Sequence, residues 1–329
     1  MSHGSNGFAA ESGRRIVATG VGVLLLVAAT GCGTWDGGTI RTAGPVAAHA
    51  PGIVPKPGSL EGFSSPESVL FAGDRWFISN IGADREPTQD GDGYLTELNS
   101  VGTVTARHAM PRPGDPPLNA PKGLAYTDNR VFVADIDRVV GFDMDTHGQV
   151  FEARLGDNAP ALLDDMALQD PRTLLITDTL RGAVDRLDLD AGTFEPVATG
   201  IPGATGITLD RTGQVAYVVG EGVSFTGGDL WRIDLTQHPA IPQRVGAVHG
   251  VLDGISVLPN GNLVVSDWAS GQGDQPGRVT IYRPDGIEVT VVNLPESLHG
   301  PADFAVDPAG RNLWIPAMRD NRVVIVPLP

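Results

Sequence analysis

PKGLAYTDNRVFVADIDRVVGFDMD, residues 121–145, is one unit of a pattern that recurs along the chain. It opens with a polar-small pair and an apolar residue, Lys122-Gly123-Leu124. A second apolar run, RVFVADI (130–136), follows, and then a third, alternating run, RVVGFDMD (138–145). Matching second runs are RWFISNI (75–81), TLLITDT (173–179), QVAYVVG (214–220), NLVVSDW (262–268) and NLWIPAM (312–318). The openers are Glu67-Ser68, Lys122-Gly123, Asp164-Asp165, Thr205-Gly206, Asp253-Gly254 and Ala302-Asp303, spaced 55, 42, 41, 48 and 49 residues apart. Short β-rich runs with regular turn signals indicate an all-β chain. A period of roughly 40–55 residues with about four strands per unit indicates a propeller. The expectation is a six-bladed β-propeller with four-stranded blades over residues 63–329; a sandwich would not give six matching units. The last unit stops at Pro329 after its third strand. An open sheet edge is a liability, so a segment within 40–63 is expected to supply the missing outer strand.

Composition agrees with this reading. Gly (43) and Pro (26) make up about 21 % of 329 residues, below the roughly 25–30 % of low-complexity disorder. The single Cys excludes a disulfide framework and a Cys-rich zinc site. The net charge of −16 argues against a nucleic-acid-binding surface, because phosphate binding needs a basic face. Only two of the 23 basic residues are lysines, Lys56 and Lys122.

Residues 1–31 read as a signal peptide: Arg14-Arg15, the uncharged stretch IVATGVGVLLLVAAT (16–30), then a small-residue site. The apolar stretch is shorter than the roughly 20 residues of a spanning helix. Ala29-Thr30-Gly31-Cys32 resembles the bacterial lipobox, which makes Cys32 the expected lipidation site. Residues 32–62 read as the lipidated Cys, a tether and the closing strand. Loss of Glu11, Arg14 and Arg15 with the signal leaves a charge of −17, so the anchor and not the acidic surface would hold the protein at a membrane. The expected location is the outer face of the cell membrane or the periplasm, as a monomeric lipoprotein.

The first strand of each propeller blade lines the central channel, so the openers converge there. One ring is Glu67, Lys122, Asp164, Thr205, Asp253 and Ala302; the next is Ser68, Gly123, Asp165, Gly206, Gly254 and Asp303. Confined carboxylates repel, so they either retain protons or share a cation. Hard oxygen ligands suit Ca²⁺, Mg²⁺ or Mn²⁺. Asp135, Asp178 and Asp267, with Asn80, recur at the ends of second runs, where a structural role in bonding turn amides is expected. His249 and His299 precede openers and are read as ordinary loop residues.

Pro66-Glu67-Ser68-Val69, Ser79-Asn80-Ile81, Leu118-Asn119-Ala120-Pro121-Lys122-Gly123, Ala134-Asp135-Ile136-Asp137, Leu163-Asp164-Asp165-Met166-Ala167, Asp253-Gly254-Ile255 and Ser266-Asp267-Trp268 together resemble the senescence-marker-protein/gluconolactonase-like propeller family. The resemblance spans roughly residues 63–329 and implies a divalent cation in the channel (Ca, Mn, Mg or Zn) with hydrolysis of a lactone or related ester. It implies Glu67, Asp164 and Asp253 as metal ligands, with Asp253 also the catalytic base. The family's amide ligand falls on Thr205, and Lys122 brings a cation into the same channel; both are departures. Lys122, Asp165, Thr205 and Asp303 are the expected contacts for a small-molecule substrate or ligand. The other reading is a non-catalytic surface propeller that binds a ligand or a protein partner.

Overall fold

The computed structural model describes residues 57–83, 87–156, 159–294 and 297–329. The signal segment, Cys32 and most of the tether lie outside these residues. The described chain forms six four-stranded antiparallel sheets and contains no α-helix.

Five sheets are built from four consecutive strands each. Their innermost strands are Pro66–Ala72, Pro121–Thr127, Leu163–Asp170, Ala204–Leu209 and Leu252–Val257. The sixth sheet joins the two ends of the propeller. Its inner strands are Ala305–Val306, Asn312–Ala317 and Arg322–Pro327, and its outer strand is Gly58–Glu61. Gly58 pairs with Ile325 and Glu61 with Arg322, which covers the edge that the third strand would otherwise leave open.

Six apolar clusters fill the gaps between neighbouring blades. Phe77, Met110, Val133 and Phe142 pack blade one against blade two. The cluster between blades six and one contains Trp76 and Trp314, whose rings stack with centroids 4.0 Å apart and planes 17° from parallel. Each blade is thus apolar on both faces. Its second strand consequently reads as a near-continuous apolar run, the pattern expected of a strand buried on both sides.

The ends of the second strands do the structural work that their recurrence suggests. Asp135 Oδ1 accepts from the backbone N–H groups of Asn119 and Ala120, and Asp178 Oδ1 from those of Leu162 and Arg181. Asp267 Oδ1 accepts from Val251 and Ala269, and Asn80 Oδ1 from Ser64. Each side chain fastens the loop that leads into its own blade.

Candidate functional site

Five of the six openers, those of blades one to five, lie at a bulge. In blade one Pro66 pairs with Asn80 and Val69 with Ile78, so the inner strand carries one extra residue over that span. The same shift occurs at Pro121/Leu124, Leu163/Met166, Ala204/Ile207 and Leu252/Ile255. A bulge rotates the backbone and re-aims side chains that strict alternation would send to opposite faces. Glu67, Lys122, Asp164, Thr205 and Asp253 all occupy the first bulge position.

Three of these form a tight group: Glu67, Asp164 and Asp253 each bring one carboxylate oxygen within 4.8 Å of the others. The Lys122 ammonium is among them, with Nζ 3.1 Å from Glu67 Oε1 and 2.9 Å from Asp164 Oδ2. Glu67 Oε2 is buried with no hydrogen-bond partner. Trp268 Nε1 donates to Asp253 Oδ2 at 2.7 Å, and the Thr179 hydroxyl lies 3.0 Å from Asp164 Oδ2. The Thr205 hydroxyl is turned to backbone carbonyls, 2.9 Å from Leu252 O and 3.2 Å from Val219 O.

The second ring is more tightly packed. A Cβ on Gly123 would fall 2.5 Å from the Asp165 Cα, and one on Gly206 would fall 2.2 Å from the Asp253 carbonyl oxygen. Glycine is required at these positions because adjacent inner strands approach too closely for a side chain. Asp165 accepts two backbone N–H bonds, from Met166 at 2.6 Å and from Ile207 of the next blade at 2.8 Å. Asp303 Oδ2 accepts from the Ser68 hydroxyl at 2.6 Å. Asp165 and Asp303 line a separate cavity of about 340 Å³ with Val69, Leu124, Ile207 and Phe304, and neither Lys122 nor Glu67 reaches its wall.

A third ring escaped the sequence reading. It is the residue after each second-strand end: Ile81, Ile136, Thr179, Glu221, Trp268 and Met318. Ile81, Ile136, Trp268 and Met318 join Ala120, Val251 and Ala302 in one buried apolar cluster, while blades three and four contribute the polar Thr179 and Glu221. The signal was present in the column of final letters of the second runs. Blade four hid it, because the run in register with the others is 215–221 and not 214–220. His249 and His299 are engaged elsewhere, with Nδ1 2.9 Å from Asp229 Oδ1 and 3.0 Å from Asp320 Oδ1.

Burial dominates the electrostatics. It pushes the Asp253 carboxyl up to about 7, with Asp164 adding to the rise while Lys122 and the Trp268 N–H oppose it. Burial, then Asp164 and Asp253, push Glu221 up to about 9 against the pull of Lys122. Burial also holds Glu67 well above the usual carboxylate range despite Lys122. Burial works against the Lys122 ammonium, but Asp164, Glu67 and Asp253 together hold its pKa well above the ordinary lysine value. Unfolded, Glu221 ionises near 4.5, whereas folded it keeps its proton to about 9. The folded chain therefore binds the extra proton across that window, and its stability falls as pH rises. Glu221→Gln should flatten the fall in melting temperature between pH 4.5 and 9. A variant whose profile overlays the parent's would contradict this assignment.

The donor set by itself suits a hard divalent cation, but Lys122 already occupies it. An ion bridging Glu67 and Asp164 would compete for the two carboxylates that the ammonium bonds. At about 4 Å separation and an effective dielectric of about 20, ammonium and dication repel by roughly 8 kcal/mol. That offsets the pull of one of the three carboxylates on a dication, so Lys122 competes with a divalent ion for Glu67 and Asp164. The Thr205 hydroxyl donates its hydrogen to the Leu252 carbonyl, which ties that side chain to the backbone.

No protein-family model matches the chain, and no curated protein matches it. Among solved structures it is similar to the hydrazine synthase of Kuenenia stuttgartiensis, with a TM-score of 0.55 and 16 % identity, over 80 % of this chain and 76 % of that one. It is also similar to virginiamycin B lyase from Staphylococcus aureus. The selenomethionine-substituted form gives a TM-score of 0.55 at 16 % identity, covering 83 % of this chain and 99 % of that one. A catalytically inactive form with quinupristin gives 0.54 at 15 %, with the same coverage. At this identity the likeness shows the six-bladed propeller fold alone, since unrelated activities share a fold.

Proposed function

We propose that the channel mouth is the active site of a hydrolase that opens a lactone or a related ester. The resemblance to gluconolactonase-like propellers suggests this substrate class. The observation that carries the reading is the gathering of Asp253, Glu67, Asp164 and the Lys122 ammonium at one buried channel mouth, with Asp253 raised to about 7 and Glu221, which feels the charges of Asp164, Asp253 and Lys122, raised to about 9. Groups separated in this way are the usual mark of acid and base assignments.

Asp253, ionised above about 7, takes a proton from water while the water oxygen attacks the substrate carbonyl carbon. An ammonium has three N–H donors, and Glu67 and Asp164 take two, which leaves one to stabilise the charge that develops on the carbonyl oxygen. Glu221, protonated up to about 9, gives its proton to the departing ring oxygen. The proton on Asp253 then returns to Glu221 through solvent, which regenerates both groups. Asp165 and Thr205 hold the inner strands in place and stay clear of the substrate. Outside the described residues, the signal segment and Cys32 would export this domain and anchor it to a membrane.

In a panel of lactones and esters, Asp253→Asn should lower kcat/KM for the best substrate by about 10²–10⁴, the usual worth of a positioned base. The parent's rate should rise through pH 7 and fall near pH 9, and Glu221→Gln should remove only the upper limb. If nothing in the panel is hydrolysed in a manner that Asp253→Asn abolishes, the hydrolase reading is lost. The second reading, a non-catalytic propeller that binds a ligand or partner, is favoured by the Lys122–Glu67 ion pair, which fills the channel with fixed charge.

A further inference from the structure

We infer that Lys122 is the resident cation of this channel: its ammonium stands where a divalent ion would otherwise bind among Glu67, Asp164 and Asp253, and the protein carries no metal there. The inference holds whether the mouth catalyses or only binds.

Two features support it. Three buried carboxylates from blades one, three and five offer oxygens within 4.8 Å of one another, a spacing that a positive charge at its centre stabilises. Lys122 supplies that charge from blade two, bonding Glu67 at 3.1 Å and Asp164 at 2.9 Å. The match is incomplete. Glu67 Oε2 is buried without a partner, so the ring offers more acceptor capacity than one ammonium satisfies. An ammonium is covalently held and needs no uptake from solution. A divalent ion would take one oxygen from each carboxylate and would have to be acquired from outside. Without the ammonium, Glu67, Asp164 and Asp253 form an oxygen site held ready by the bulges of three blades.

The test uses the full-length protein and three substitutions. Metal analysis of the purified parent should find no stoichiometric metal, and EDTA should leave its melting temperature unchanged. Lys122→Met keeps the length of the side chain and removes the charge. This variant should bind Mn²⁺ or Ca²⁺ stoichiometrically by calorimetry and melt at higher temperature as either ion is added, since an ion that binds only the folded form stabilises by mass action. Adding Asp164→Asn should abolish that gain. Lys122→Arg keeps a cation in place and should stay metal-free. If Lys122→Met folds only when Mn²⁺ or Ca²⁺ is supplied, the result supports the same conclusion. A parent that holds stoichiometric metal and loses stability in EDTA would overturn the inference. So would a Lys122→Met protein that gains no metal affinity, or that fails to fold even with metal present.

Discussion

Lys122→Ala in the presence of EDTA should destabilise the propeller by about 3–5 kcal/mol, the usual cost of removing one partner from a buried ion pair. The cause is less the lost attraction than the stranded charge. Glu67 and Asp164 are 1 % and 3 % exposed, and without the ammonium they face Asp253 with nothing to offset their repulsion. The stranded carboxyls must take up protons, so the loss should shrink on acidification, where protonation costs little. In a domain of this size the shift in melting temperature should be on the order of 10 °C near pH 7. Denaturant unfolding of the parent, of Lys122→Ala and of the double variant Lys122→Met/Glu67→Gln distinguishes the mechanisms. Restored stability in the double variant identifies stranded charge as the cause. A single variant within about 1 kcal/mol of the parent at neutral pH would show that the ring does not depend on Lys122.

The second large effect lies at the seam where the propeller closes. Trp314→Ala should cost about 3–5 kcal/mol, in the range for truncating a fully buried aromatic. Trp314 is 0 % exposed and stacks on Trp76, which in turn meets Phe71 edge-on with centroids 4.8 Å apart. The stack joins blade six to blade one. These blades are also linked by the four-residue strand Gly58–Glu61, by apolar residues such as Phe63, Val69 and Val323, and by the Ser68–Asp303 and Ser65–Asn321 hydrogen bonds. A Cβ on Gly102 would fall 2.8 Å from the Trp314 ring, so the loop after the third strand of blade one also closes over it. Loss of the ring should therefore open the seam first. Hydrogen exchange in Trp314→Ala should quicken in blades one and six before it does in blades three and four. Uniform loss of protection around the ring would argue instead that the propeller opens as one unit.

Much of the architecture could be read from the sequence because its physical basis is periodic. A blade buried on both faces needs an apolar second strand, and six such runs at regular spacing leave few architectures. The same periodicity placed Glu67, Lys122, Asp164, Thr205 and Asp253 in equivalent positions, and the structure brings the charged members together. Legibility ended where one residue of register matters. Asp165 and Asp303 follow their openers directly, yet they face another cavity, since neighbouring positions on an extended strand point in different directions. Glu221 was hidden by a register in blade four displaced by one residue.

The sequence by itself determined that six blades surround one channel and that an unusual concentration of carboxylates, with one lysine, falls on its inner strands. Only the tertiary structure decided how that charge is compensated. Lys122 reaches Glu67 and Asp164 because a bulge turns each of these openers toward the axis and because Gly123 and Gly206 let neighbouring inner strands come close. The three partners lie 55 and 42 residues apart in the chain. Whether an ammonium or a metal ion sits among them depends on distances of a few ångströms between blades, which hydrophobic periodicity does not encode.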